Sequence, residues 1–148
     1  MRLTNTNKLF TDEFIRKVIR FCRPSGISNF DVMVKNSKKN FGGMAYYTGC
    51  GYHKTSNPFI TVSIGTIKFP LVCDRKNQRG GYLPFKCFTK EEILVKVMAH
   101  ELRHLWQSKH PRGWRVWGAR GQFSERDADA YAIHKMREFR RIGLVINS

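Results

Sequence analysis

Hydrophobic residues fall into three helical stretches and one alternating stretch. From Thr11 to Arg23, Phe14, Ile15, Val18, Ile19 and Cys22 recur at a spacing of about 3.6 residues, with Arg16, Lys17 and Arg20 opposite. This predicts a first helix, capped by Thr11 and stopped by Pro24 and Gly26. From Phe30 to about Lys86 the pattern changes to short β-type runs. Asp31–Lys35 alternates, Met44–Tyr47 sits between Gly42-Gly43 and Gly49/Gly51, and Phe59–Ile64 is rich in β-branched residues. Ile67–Val72 is a further candidate that Pro70 confines to an edge or bulge. Thr89–Lys109 predicts a second helix, with Thr89 and Glu92 as a T-x-x-E capping box and a wide stripe of Ile93, Leu94, Val97, Met98, Leu102 and Leu105. Ser124 reads as the N-cap of a last helix running to about Arg140. The expected fold class is α+β: a small, mostly antiparallel sheet packed on the second helix, with a C-terminal helix, as one domain over residues 1–148.

Composition narrows the classes. With 148 residues, 13% aromatics and 41% hydrophobic residues, a packed core is expected rather than disorder. No apolar run is long enough for a membrane span. No apolar signal segment opens the chain, so a cytoplasmic location is expected, with Cys22, Cys50, Cys73 and Cys87 as reduced thiols. The 27 Lys+Arg against 11 Asp+Glu give a net charge of +16, which suits a polyanionic or acidic partner.

The chemistry is concentrated in the second and last helices. His100-Glu101-Leu102-Arg103-His104 is H-E-x-x-H on a helix. Positions i and i+4 share a face, so both imidazoles can converge on one Zn²⁺. Glu101 beside them is placed to act as general base. The two His lie at the edge of the apolar stripe, away from the solvated face of Lys96 and Arg103. A catalytic zinc needs a third protein ligand. Glu125 and Asp129 share a face with Ala128, Ala132, Ile133, Met136 and Phe139, and carboxylates on an apolar face are costly unless paired or metal-bound. Glu125 as ligand and Asp129 as acceptor for a ligand imidazole N–H satisfies both. His110, six residues after His104, is the rival third ligand. That geometry needs a sharp helix end at Gln107, which is a good helix former. Cys50-x-x-His53 with Cys73 and Cys87 offers a loose second zinc set.

HELRH followed by E-x-x-A-D resembles the pattern of gluzincin-type minimal zinc metallopeptidases. The chain is similar to the small SprT-like and related metallopeptidase-type proteins, many of them carried by bacteriophages. The resemblance covers about His100–Ala132. It implies a zincin-like fold with His100, His104 and Glu125 as zinc ligands, Glu101 as general base and Asp129 behind a ligand His. Its expected partner is a protein or peptide substrate.

The segment 109–121 carries Lys109, Arg112, Arg115 and Arg120 interleaved with Trp114 and Trp117, and no acid. Basic plus aromatic suits a single-strand stacking surface. Three readings stay open: nucleic-acid binding by Arg112, Trp114, Arg115, Trp117 and Arg120, selection of acidic peptides, or Trp packing under a solvated loop. The alternative to a peptidase is a basic nucleic-acid-binding zinc protein with weak or no hydrolysis. Neither the oligomeric state nor a transition-state-stabilising residue is legible.

Overall fold

The computed structural model describes residues 1–46, 57–109 and 122–147, with side chains over 124–142 in the last segment. Its architecture is α+β, with three helices and a small mixed sheet. Strand β1 (Leu3–Asn5) leads into helix α1 (Asp12–Cys22), which returns the chain to β2 (Asp31–Asn36). Then come β3 (Phe41–Tyr46), β4 (Phe59–Ile64), the β5/β6 hairpin (Leu71–Cys73 and Phe85–Cys87), α2 (Lys90–Lys109) and α3 (Gln122–Asn147).

The main sheet has the order β1-β2-β4-β3. Here the expectation of a mostly antiparallel sheet is corrected. β1 pairs with β2 and β2 with β4 in parallel, and only β3 runs antiparallel to β4. The reason lies in the connections. The α1 crossover returns the chain in the same direction, and β3 folds outward to the edge, leaving β4 to fill the place beside β2. β1 adds a strand that three residues could not announce. Gly42 and Gly43 lie inside β3 rather than at its boundary.

The register puts one apolar face together. Val32 is opposite Ile60 and Val34 opposite Val62, and all four are buried with Ile64. Helix α2 packs across β3 and β4 on one side and against α1 and α3 on the others. One cluster joins Ile15, Val18 and Ile19 of α1, these strand residues, Ile93 to Leu105 of α2, and Ala132, Met136 and Phe139 of α3.

The helix ends follow local chemistry. Thr11 accepts from the Phe14 amide at 3.1 Å, as its N-cap role requires. The capping box of α2 forms in full. Thr89 Oγ1 accepts from the Glu92 amide at 3.2 Å, and Glu92 Oε1 accepts from the Phe88 and Thr89 amides at 2.7 and 3.2 Å. The other oxygen of Glu92 pairs with Arg140 of α3, tying the helix start to its neighbour. Ser124 is not a cap: α3 begins at Gln122, and the Ser124 carbonyl lies within the first turn. No helix among the described residues is long and apolar enough to cross a membrane.

Candidate metal centre

His100 and His104 stand one turn apart on α2 and face the first turn of α3, which carries Glu125. The buried Ala128 and Ala132 allow the two helices to approach this closely. His104 Nε2 lies 3.1 Å from His100 Nε2 and 2.9 Å from Glu125 Oε1. His100 Nε2 lies 3.3 Å from Glu125 Oε2. These three side chains form a group able to hold a metal ion. A tetrahedral Zn²⁺ with N and O bonds of about 2.0–2.1 Å would hold its donors roughly 3.3 Å apart; the donor set fits the ion in chemistry, and one ligand atom from each residue lies within 4.8 Å of the others.

The ring orientations are set from behind. Asp129 Oδ1 lies 3.0 Å from His100 Nδ1. Asp129 is 6% exposed, and its carboxylate accepts the Nδ1–H, which turns Nε2 toward the site. Gln107 does the same for His104. Its Nε2 donates to the Ser124 carbonyl and to Asp127, each at 2.9 Å. Its Oε1 is therefore turned toward His104 Nδ1 at 2.8 Å and accepts from it. Asp127 also receives Arg103 through two bonds of 2.8 and 3.2 Å. The Arg103 guanidinium stacks 3.7 Å over Trp106. Arg103 is thus clamped between α2 and α3 rather than solvated, a correction to the sequence expectation. Lys96 is likewise half-buried, its ammonium 5.0 Å over the Phe41 ring.

Electrostatics separate the carboxylates. Hydrogen bonds from His100 and then His104 hold Glu125 well below the usual carboxylate range against the cost of its partial burial. Burial raises Glu101, which is 4% exposed, and the two imidazoles offset that only in part. Burial disfavours the charged form of His100, yet its bonds to Asp129 and Glu125, with Glu101 nearby, push it up to about 10.

Glu101 Oε1 lies 3.8 Å from His100 Nε2, beside the donor cluster. Above it is Gly43. A Cβ there would fall 2.9 Å from both Cγ and Oε2 of Glu101 and 3.0 Å from the Thr61 carbonyl. Gly43 pairs with the buried Val62, so it sits on the sheet face turned to α2, where only hydrogen fits. A cavity of about 190 Å³ opens between β3 and the two helices, lined by Phe41, Gly43, Gln78, Lys96, Glu101 and Glu125 among others.

The structure brings together His100, Glu101, His104, Glu125 and Asp129. Helix α2 continues unbroken through Gln107 to Lys109, without the sharp end the His110 alternative requires. His110 itself lies outside the described residues, as do Arg112, Trp114, Arg115, Trp117 and Arg120. Cys50 and His53 also lie outside them, and Cys22, Cys73 and Cys87 are unbridged. Tyr131 and His134 stay off the site: the Tyr131 hydroxyl donates to the Cys22 carbonyl at 2.6 Å, and the exposed His134 neighbours Glu138.

Sequence reasoning missed Gln107 as a His104 partner, Asp127, and Gly43 and Gln78 as lining residues. Lys96, four residues before His100, carried a signal, since i and i+4 share a face. Gly43 and Gln78 carried none, because only tertiary pairing brings them to α2. Compared with protein-family models, curated proteins and solved structures, the chain matches none.

Proposed function

We propose that the protein is a zinc-dependent peptidase of zincin-like type, with His100, His104 and Glu125 as ligands and Glu101 as general base. The observation that carries this reading is the convergence of three donor side chains, through four atoms at 2.9–3.3 Å, with the buried Glu101 carboxylate 3.8 Å from His100 Nε2 at their side. Zn²⁺ in such a site acts as a Lewis acid on a carbonyl and lowers the pKa of water.

The chain's own residues supply the rest. Glu101, disposed by burial to hold a proton, takes one from the attacking water and delivers it to the leaving nitrogen. Asp129 and Gln107 keep the two imidazoles in the tautomer whose Nε2 faces the site. Strand β3 is an edge of the sheet and lines the cavity with Phe41, Gly42 and Gly43. Over Phe41–Ala45 it pairs with β4 on one side, and no other strand pairs with it among the described residues. An extended peptide added there runs past Glu101, which supports a peptide as substrate.

Replacing Glu101 by Gln tests the reading. Cleavage of an unstructured protein such as casein should fall by about 10²–10⁴-fold, the size of a lost general base. Zinc stoichiometry by elemental analysis should stay at that of the parent. Undiminished cleavage would remove Glu101 from its role, and absence of zinc from the purified parent would remove the whole reading.

A further inference from the structure

A second, larger cavity of about 670 Å³ adjoins the metal centre and shares Gln78 and Glu125 with it. One wall is the segment from Lys76 to Leu83, and the other is the first turn of α3. Lys76, Arg79 and Arg126 line it. Among the described residues its one carboxylate is Glu125, whose two oxygens are committed to His100 and His104.

Among the described residues none of the three forms an ion pair. Arg79 Nε is buried with no hydrogen-bond partner, and only its Nη1 donates, to the Tyr82 carbonyl at 3.4 Å. Lys76, Arg79 and Arg126 thus bring three cationic groups to one cavity, and a carboxylate entering it can form charge-assisted pairs with them. The wall is held in place. Gly80 has φ 55°, and a Cβ on it would fall 2.3 Å from the Ala130 amide nitrogen, so its backbone rests directly on α3. Arg126, one turn before Ala130, lies against Gly81.

We propose that this basic pocket determines specificity at the metal centre by receiving the carboxylate side chain of an Asp or Glu flanking the scissile bond. The inference rests on the peptidase reading above. A half-open recess beside the metal centre can receive a side chain of a peptide laid along β3, whose side chains alternate between the two faces. A nucleic-acid backbone asks instead for an extended basic track.

The test uses the zinc-loaded full chain with Glu101→Gln, and fluorescent peptides that differ only in carrying Glu, Gln or Lys at one position. The Glu peptide should bind about tenfold tighter than the Gln peptide, as expected for a charge-assisted pair that remains partly screened. Arg79→Gln/Arg126→Gln should reduce that preference to within about twofold, since both donors are lost. Arg79→Glu/Arg126→Glu should turn the preference toward the Lys peptide. Lys76→Gln/Arg126→Gln, which changes only exposed residues, serves if the Arg79 variants fail to fold. Arg16→Gln/Arg20→Gln on α1 removes the same charge elsewhere and should keep the preference.

Equal binding of the Glu and Gln peptides overturns the assignment. So does a preference untouched by the pocket variants, or a loss confined to a single-stranded DNA oligonucleotide. Cleavage by the parent chain separates the two readings. Acidic preference in binding, with neither peptide cleaved, leaves the pocket standing and removes the peptidase function.

Discussion

Glu101 and Glu125 lie in one cluster and are driven in opposite directions. Glu125 accepts from two imidazoles and is held charged, as its proposed ligand role requires, whereas Glu101 is raised by burial, as suits its proposed role as general base. Asp129 contributes through geometry: it accepts from His100 Nδ1. Asn in its place keeps the shape but offers a donor on one side. Asp129→Asn should therefore lower zinc affinity by roughly 10–100-fold, the usual effect of losing the partner behind a ligand His. Competition against a chromophoric chelator reads this directly, with far-UV circular dichroism as the check on folding. Unchanged affinity would mean that the 3.0 Å contact does not orient the ring.

At the scale of elements, the site is a junction of α2, α3 and β3, and Gly43 tests whether that junction is tight. Gly43→Ala pushes a methyl group against Glu101. Peptide cleavage should fall by up to about 10²-fold, the effect of moving a catalytic group by around an ångström. Zinc content should not change, because no ligand is touched. The capping box offers a stability counterpart. Glu92→Ala removes acceptors for two backbone amides and the partner of Arg140, and should cost about 3 kcal/mol in urea unfolding.

Helices α1 and α3 were legible because periodicity locates their buried faces, Ile15, Val18 and Ile19 or Ala128, Ala132 and Met136, while α2, buried on several sides, was legible from its wide apolar stripe and its capping box. His100, Glu101, His104, Glu125 and Asp129 were legible because helical spacing converts directly into shared direction. The sheet was not. Alternation tells which side chains of β2 and β4 are buried but not whether the strands run parallel, and that depends on the α1 crossover and on β3 turning outward. Gln107 and Asp127 read as ordinary polar helix residues. Their bonds to His104 and Arg103 exist only once α3 is docked on α2.

For the molecule as a whole, the excess of 27 basic over 11 acidic residues is a source of self-repulsion in the compact state. Acids are spent where the helices meet. Glu101, Glu125, Asp127 and Asp129 all lie at the α2–α3 junction, and Glu125 reaches across it to both His of α2. A cation held there ties the C-terminal helix to the helix that covers the sheet, so its binding free energy adds to the folding free energy. At free zinc 1,000 times the dissociation constant, the gain is about 4 kcal/mol. For a domain of this size that corresponds to a rise in Tm of about 10 °C. Tm should therefore climb with the logarithm of free zinc and fall back on chelation. Glu125→Ala should flatten the response, while Glu101→Gln, which leaves the ligands intact, should keep it. A Tm indifferent to zinc in the parent chain would show that the junction closes without a metal, and its acids would then serve only to neutralise the basic surface around them.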